Sequence, residues 1–558
     1  MACRSSSAPD PASRTAASST IPRGGNLIVS VRTEPRSFSR LVARNTTTDL
    51  LSNLTQAKLV RINKVTQEVE PWLAESWSRS EDGRHYTLRL RSGVVFSDGQ
   101  PFTADDVVFT FRAVYDEKTG SNLADSLQAA GKKLRVRAVD PHTVEIAFAD
   151  PFAAGVRLLD NLPILPRHKL EAALDAGTLA DAWSLSTPPS EVAGLGPFVL
   201  AAYEPGQRIV FDRNRHYFRK APDGGALPYL DHVTIEIIPD QNAELLRLEA
   251  AQIDMMTSEI APEAYAPLER AAKQGRVTLV DLGPADNADS LWFNLTPGAF
   301  GGDPRAAWLQ RDELRRAISL AVDRKLFADT VYLGAGVPAY GPITEANKKW
   351  YWAGVPKTPH DPAAARNMLA AIGLADRDGD GVLEDTRHQP VRFTLLTQKG
   401  RADFERGAAV IRDELKKIGI IVDVVTLDAS AVGQRFVSGQ YEAVYANPLA
   451  TDTDPALNPD FWFSFGSAHV WNMAEKTPAT DWERRIDELM ARQIASPDES
   501  ERKRLFDEVQ KVFAEHVPVL YFVAPRVYVA ASARVTNLTP AVSRPQLLWA
   551  ADTVAVVH

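Results

Sequence analysis

The 558-residue sequence predicts a mixed α/β or α+β chain folded into two or three lobes. Three observations lead to this expectation. The chain is far longer than one hydrophobic core usually serves, and with 45% hydrophobic and 24% charged residues it has ordinary globular composition. Some stretches alternate apolar and polar residues as strands do, whereas others space apolar residues by three and four as helices do. The two kinds intermix along the chain without a short repeat period.

Taken in order, Leu27-Ile28-Val29-Ser30-Val31 reads as the first strand. Tyr86-Thr87-Leu88-Arg89-Leu90-Arg91 alternates in the same way and is closed by the turn Ser92-Gly93, with another turn at Ser97-Asp98-Gly99. Thr103 can cap a helix opened by Ala104-Asp105-Asp106, whose acids suit the positive helix end. Leu314, Ala317, Ile318, Ala321 and Val322 mark one helical face, and Trp482, Ile486, Leu489 and Met490 mark another. Thr480 with Glu483, and Ser496 with Pro497 and Glu499, predict two helix starts, the second helix carrying Leu505, Val509, Val512 and Phe513.

Composition excludes several function classes. The net charge of -8, with both signs scattered, gives no basic stripe for nucleic acid or an anionic membrane surface. No apolar run has the length of a membrane-spanning helix. The ten histidines form no His-Glu-x-x-His pair, and neither a Gly-x-Ser-x-Gly elbow nor a phosphate-cradling Gly-x-x-x-x-Gly-Lys occurs, so catalysis is not indicated. The single cysteine, Cys3, rules out an internal disulfide. Residues 1–23 are rich in Ser, Ala and Pro and read as a disordered tether. Ala2-Cys3 ahead of this tether resembles a bacterial lipoprotein start, which predicts lipid on Cys3 and an apolar leader upstream of Met1.

A more specific resemblance follows from longer motifs. The run Glu70-Pro71-Trp72-Leu73-Ala74-Glu75-Ser76-Trp77, then Ser80-Glu81-Asp82-Gly83, the strand and turns of 86–99, and Thr103-Ala104-Asp105-Asp106-Val107 resemble the signature of the family 5 bacterial extracellular solute-binding proteins of ABC importers, the dipeptide, oligopeptide and nickel-binding type. The match continues through Gly194-Leu195-Gly196-Pro197-Phe198, Asn214-Arg215-His216-Tyr217-Phe218, Pro228-Tyr229-Leu230-Asp231, Gln252-Ile253-Asp254, the 314–324 segment and Leu415-Lys416-Lys417-Ile418-Gly419-Ile420. These residues are scaffold, and Trp72 and Trp77 are expected in the core. The resemblance implies an α/β periplasmic-binding-protein fold with the ligand cleft between two large lobes. Lobe I would comprise 24–55, 195–287 and 525–558, a small lobe inserted into it 56–194, and lobe III 288–524. It also implies a monomer that encloses solute by hinge closure, is periplasmic or at the cell surface, and hands its cargo to the transmembrane subunits of an ABC permease. Peptide is the leading ligand. Oligosaccharide, nickel chelate and haem are alternatives on the same fold, as is a peptide-binding chaperone or receptor.

Peptide binders of this family place an aspartate shortly before an Asp-Pro pair, against the ligand's ammonium. Alignment on Asp454-Pro455 puts Thr451 at that position and Asp452 one residue along, in the stretch that begins at Asn447. Asn447, Thr451 and Asp452 are therefore expected at the ligand, with Asp452 as a displaced charge partner. Thr46, Thr47 and Thr48 at one expected crossing between lobes, and Trp292 and Asn294 at another, are further candidates, and Phe461, Trp462, Phe463 and Phe465 form an aromatic cluster suited to core or to a stacking wall. No cofactor is expected. Asp376, Asp378 and Asp380, with Gly381 following, match the front half of an EF-hand loop, in which Glu384 or Asp385 would complete a structural calcium site, the alternative being a plain acidic turn between helix and strand; Arg387 stands where the closing glutamate belongs.

Overall fold

The computed structural model describes residues 21–129, 131–447, 452–473 and 475–557. Three sheets organise them. The largest takes strands from both ends and the middle of the chain: Phe198–Glu204, Arg208–Arg213, His232–Ile237, Asn26–Val31, Met255–Met256, Val523–Ser532 and Val277–Pro284 follow one another across it, and Gly336–Pro338 joins beside Val523–Ser532. A four-stranded antiparallel sheet lies within residues 74–147. A five-stranded sheet is built from Ile421–Leu427, Arg392–Gln398, Ala443–Ala446, Ser290–Phe293 and Val519–Tyr521.

Local chemistry explains most of these elements. Asn26–Val31 buries Leu27 and Val29 completely and pairs in parallel with His232–Ile237. Helix Ala104–Tyr115 starts where Asp106 Oδ2 accepts the Thr103 amide at 2.9 Å. Helix Asp481–Ala495 opens with a reciprocal box in which Thr480 Oγ1 accepts the Glu483 amide (3.2 Å) and Glu483 Oε2 accepts the Thr480 amide (3.0 Å). The next helix, Glu499–His516, departs from expectation: Asp498 caps it through the amides of Ser500 and Glu501, while Ser496 ends the preceding helix. An aspartate adjacent to the first turn offers a charged acceptor to the amides and displaces the serine from that role.

Trp72 is 9% exposed, and two guanidinium groups lie over its ring, Arg61 at 3.8 Å and Arg219 at 4.3 Å from the centroid. Trp77 is partly buried against the same core. Gly194 and Gly196 allow the 194–198 segment to run against the end of helix Thr46–Thr55, where an added Cβ on Gly196 would sit 2.4 Å from the Thr55 carbonyl carbon.

The large sheets are joined by two antiparallel segments, 285–289 and 522–525. Pro525 O accepts the Ala285 amide (2.8 Å), Val523 O the Asp289 amide (2.9 Å), and Asp289 O the Phe522 amide (3.0 Å). Where they cross, the Asp289 carboxylate accepts hydrogen bonds from the hydroxyls of Tyr332 and Tyr445. Among the described residues, no helix is long and apolar enough to cross a membrane.

A candidate solute cavity between the lobes

A cavity of about 340 Å³ lies against the crossing segment 285–289. Its floor is Asp286, Asn287 and Ala288. One wall is Ile62, Lys64, Gln67 and Arg157 from the 56–194 region, and the opposite wall runs from Asp452 to Ala468. Phe461, Trp462 and Tyr521 supply apolar surface, and Ser543 and Arg544 reach in from the C-terminal region.

Arg157 ties the walls together. Helix Gly155–Leu158 points it across the cavity, where Nε donates to Asp452 Oδ1 (2.6 Å) and Nη2 to Thr453 Oγ1 (2.7 Å), while Nη1 is held on its own side by Gln67 O (2.6 Å). Both members of the ion pair are only 10% exposed. Gln67 continues the seam: its amide donates to Ala346 O (2.7 Å) and accepts the Lys348 amide (3.1 Å). Asn347 Nδ2 donates to Thr453 O at 2.7 Å.

Asp286 is the contrasting acid. Oδ2 accepts the Ser543 hydroxyl at 2.6 Å, but Oδ1 is buried and has no hydrogen-bond partner among the described residues. Burial pushes this carboxyl above the usual range; the Ser543 hydrogen bond and the Lys64 cation oppose that rise, and the Asp452 charge adds to it. A buried carboxylate oxygen without a donor, on a residue that lines a cavity, leaves an acceptor that a bound molecule and a small side-chain rotation could satisfy.

A second chamber of about 240 Å³ shares Ile62, Lys64 and Arg544 with the first, and is lined by Arg40, Lys58, Arg61 and Gln56 on the basic and polar side and by Asp49, Asp160 and Asp552 on the acidic side.

The expected site residues divide sharply. Asp452 lines the cavity, but its charge is engaged by Arg157 and one oxygen also accepts the Asp454 amide (2.8 Å). Thr451 and Cys3 lie outside the described residues. Asn447 is half-buried, with Oδ1 unpartnered among the described residues, and does not line the cavity. Thr46, Thr47 and Thr48 are not a crossing loop. They open helix Thr46–Thr55, because Asn45 Oδ1 accepts the Thr48 amide at 2.8 Å. Thr46 is exposed; Thr47 Oγ1 donates to Thr33 O (2.7 Å) and Thr48 Oγ1 to Ser37 O (3.2 Å), so these two hydroxyls fasten the 33–37 loop, and none of the three residues lines the cavity. Trp292 packs edge-on to Phe436 within a buried cluster, and Asn294 Nδ2 is spent on Gly439 O (3.0 Å), so neither is brought to the cavity.

In the acidic turn, oxygens of Asp376, Asp378 and Asp380 lie within 4.8 Å of one another and are exposed. All three carboxylates accept backbone amides of the same turn, from Gly379 and Gly381, from Asp380, and from Val382. Glu384 is turned instead to the Arg377 amide (3.2 Å).

Sequence reasoning missed Arg157, Asp286 and Gln67. Arg157 had a signal, a lone cation inside the apolar run from Phe152 to Leu159, whereas nothing local distinguishes Asp286.

Comparisons with known proteins agree with this architecture. The profile for bacterial extracellular solute-binding proteins, family 5 Middle, matches residues 68–469. The oligopeptide-binding protein AppA of Bacillus subtilis is 27% identical over 91% of this chain and 88% of its own length. Protein XP55 of Streptomyces lividans is 30% identical over 90% of this chain and 85% of its own. The crystal structure of NikA from Brucella suis in complex with Fe(III)-EDTA superposes with a TM-score of 0.79 at 22% identity, covering 96% of this chain and all of that one.

Proposed function

Because this chain belongs to the family 5 bacterial extracellular solute-binding proteins, we propose that its inter-lobe cavity captures a small polar solute bearing an ammonium group, of di- or tripeptide size, for delivery to an ABC importer. Proteins of the family are binding proteins that work outside the cytoplasm with ABC permease components. The observation that carries the ligand class is Asp286, a residue that lines the cavity and whose Oδ1 is a buried acceptor without a partner among the described residues. Asp452, the acid expected from the sequence, is already neutralised by Arg157, so the charge partner moves to the crossing segment. A volume near 340 Å³ lies at the small end of solute sites and suits two or three residues of peptide better than a long one. The name of the AppA relative, an oligopeptide-binding protein, supports the same ligand class.

Calorimetry with di- and tripeptides, their N-acetylated forms and a set of oligosaccharides tests the proposal. Truncating one partner of a buried charge pair costs about 2 to 5 kcal/mol, so Asp286→Asn should weaken binding at least about thirtyfold. N-acetylation should do the same in the wild type and add little in the variant. Peptide binding indifferent to both changes would remove Asp286 from the site, and binding of saccharides alone would remove the peptide class.

The same proposal extends to the membrane. Ala2-Cys3 and the Ser- and Pro-rich residues after it support a lipid anchor at Cys3. Labelling with a fatty-acid analogue in the native host should mark the wild type and not Cys3→Ser; an unlabelled wild type contradicts the anchor.

A further inference from the structure

We infer that His469, Glu475 and Glu483 form a site for one divalent transition-metal ion of the zinc class, behind the wall of the solute cavity. The inference stands on the geometry of these residues and does not depend on the identity of the solute.

One ligand atom from each residue lies within 4.8 Å of the others. His469 Nε2 is 3.5 Å from Glu483 Oε1 and 3.8 Å from Glu475 Oε2. Those spacings are long for hydrogen bonds. Around a tetrahedral ion with bonds of about 2.0 to 2.2 Å, ligand atoms stand about 3.3 to 3.6 Å apart, which is close to what is seen. The side chains of His469, Glu475 and Glu483 are 1%, 6% and 2% exposed. Despite that burial, His469 Nε2 and both oxygens of Glu475 have no hydrogen bond of ordinary geometry among the described residues. Orphaned polar atoms at such depth are costly unless something absent from the protein itself completes them.

Charge points the same way. The charged groups acting on buried Glu475 are Glu483 and Asp487, both acids. On Glu483 the nearby charge is His469 itself. Three carboxylates thus gather around one imidazole, and a dication restores the balance.

The surrounding contacts orient the ligands. His469 Nδ1 lies 3.3 Å from Phe461 O, so a proton placed there leaves the Nε2 lone pair directed at the glutamates. Trp471 Nε1 donates to Glu483 Oε1 (3.1 Å), and Thr480 Oγ1 donates to Oε2 (2.7 Å). One imidazole nitrogen and two carboxylates fit zinc, or a related ion such as cobalt or manganese, and not calcium's all-oxygen preference. The ion would pin His469 and Glu475 to helix Asp481–Ala495, and so fix Phe461 and Ala468 in the cavity wall.

The test is zinc titration of the full chain after chelator treatment, followed by calorimetry and elemental analysis, with cobalt as a spectroscopic probe. The expected result is one equivalent of zinc, a cobalt absorption of tetrahedral intensity, and at least a hundredfold loss of affinity in both His469→Ala and the isosteric Glu475→Gln. Asp378→Ala, in the exposed acidic turn, should bind as the wild type does. Circular dichroism establishes that the variants are folded; should His469→Ala fail to fold, Glu475→Gln alone decides. No stoichiometric zinc in the wild type, full affinity in Glu475→Gln, or loss in Asp378→Ala would each overturn the assignment.

Discussion

Replacing Arg157 with alanine removes the cation that joins the two walls of the cavity, and the structure sets the size of the effect. Of its three hydrogen bonds, the one to Gln67 O stays within one wall, so only those to Asp452 (2.6 Å) and Thr453 (2.7 Å) contribute to bringing the walls together. Hydrogen bonds to charged groups are worth about 1.5 to 3 kcal/mol net. Breaking a fully buried ion pair would cost about 3 to 5 kcal/mol, but Asp452 keeps the Asp454 amide and faces a cavity that water can enter, so the lower range applies. About 2 kcal/mol lost from the solute-holding arrangement should weaken binding about thirtyfold. Arg157→Lys, a point charge without the planar fork, should recover only part of it. Calorimetry with the tightest di- or tripeptide reads the loss, and the double cycle with Asp452→Asn should show a coupling of at least about 1 kcal/mol. Affinities within twofold of wild type for both single variants would refute the clamp.

Two further outcomes follow from residues outside the ligand contacts. Burial raises the Asp289 carboxyl from 3.8 to about 7 against hydrogen bonds from Tyr332 and Tyr445, so the native state holds this proton more tightly than the unfolded chain and stability falls as pH rises from about 4 through about 7. Asp289→Asn should flatten that stretch of a melting-temperature profile and gain most at pH 8; an unchanged slope would rule out Asp289 as its source. Gly196→Ala should lower stability by about 1 to 3 kcal/mol, read as a lower denaturation midpoint, because the three nearest neighbours of the new methyl are backbone atoms of Leu54, Thr55 and Gln56; an unaltered midpoint would show that the helix end moves aside freely.

The family and its α/β binding-protein fold were legible in motifs spread along the chain, and the other legible features were local. The strand at Asn26–Val31 and the box at Thr480–Glu483 are set by alternation and by side chains three residues apart, and both stand as the pattern implies. Ser496 misled because Asp498, two residues on, competes for the same amides. Asn45 to Thr48 misled because a polar run suits a solvated crossing as well as a capped helix start. The paired motifs around Gly194 and Gly196 were visible as a signature, but their cause, backbone packed against backbone, appears only in three dimensions. Asp452 could be placed near the cavity by its distance from Asp454-Pro455. Its partner lies 295 residues away, and no local pattern reports a pairing of that range. Asp286 was invisible for a related reason: its significance is a missing partner, and a sequence shows residues without showing what surrounds them.

Native mass spectrometry of the chain purified without denaturation, with the released solute identified, tests the central claim most directly. The account predicts a one-to-one adduct with the mass of a di- or tripeptide-sized molecule that carries a primary or secondary amine, and predicts that Asp286→Asn is recovered without it. A retained solute that lacks an amine, or one that Asp286→Asn holds as firmly as the wild type, would contradict the account.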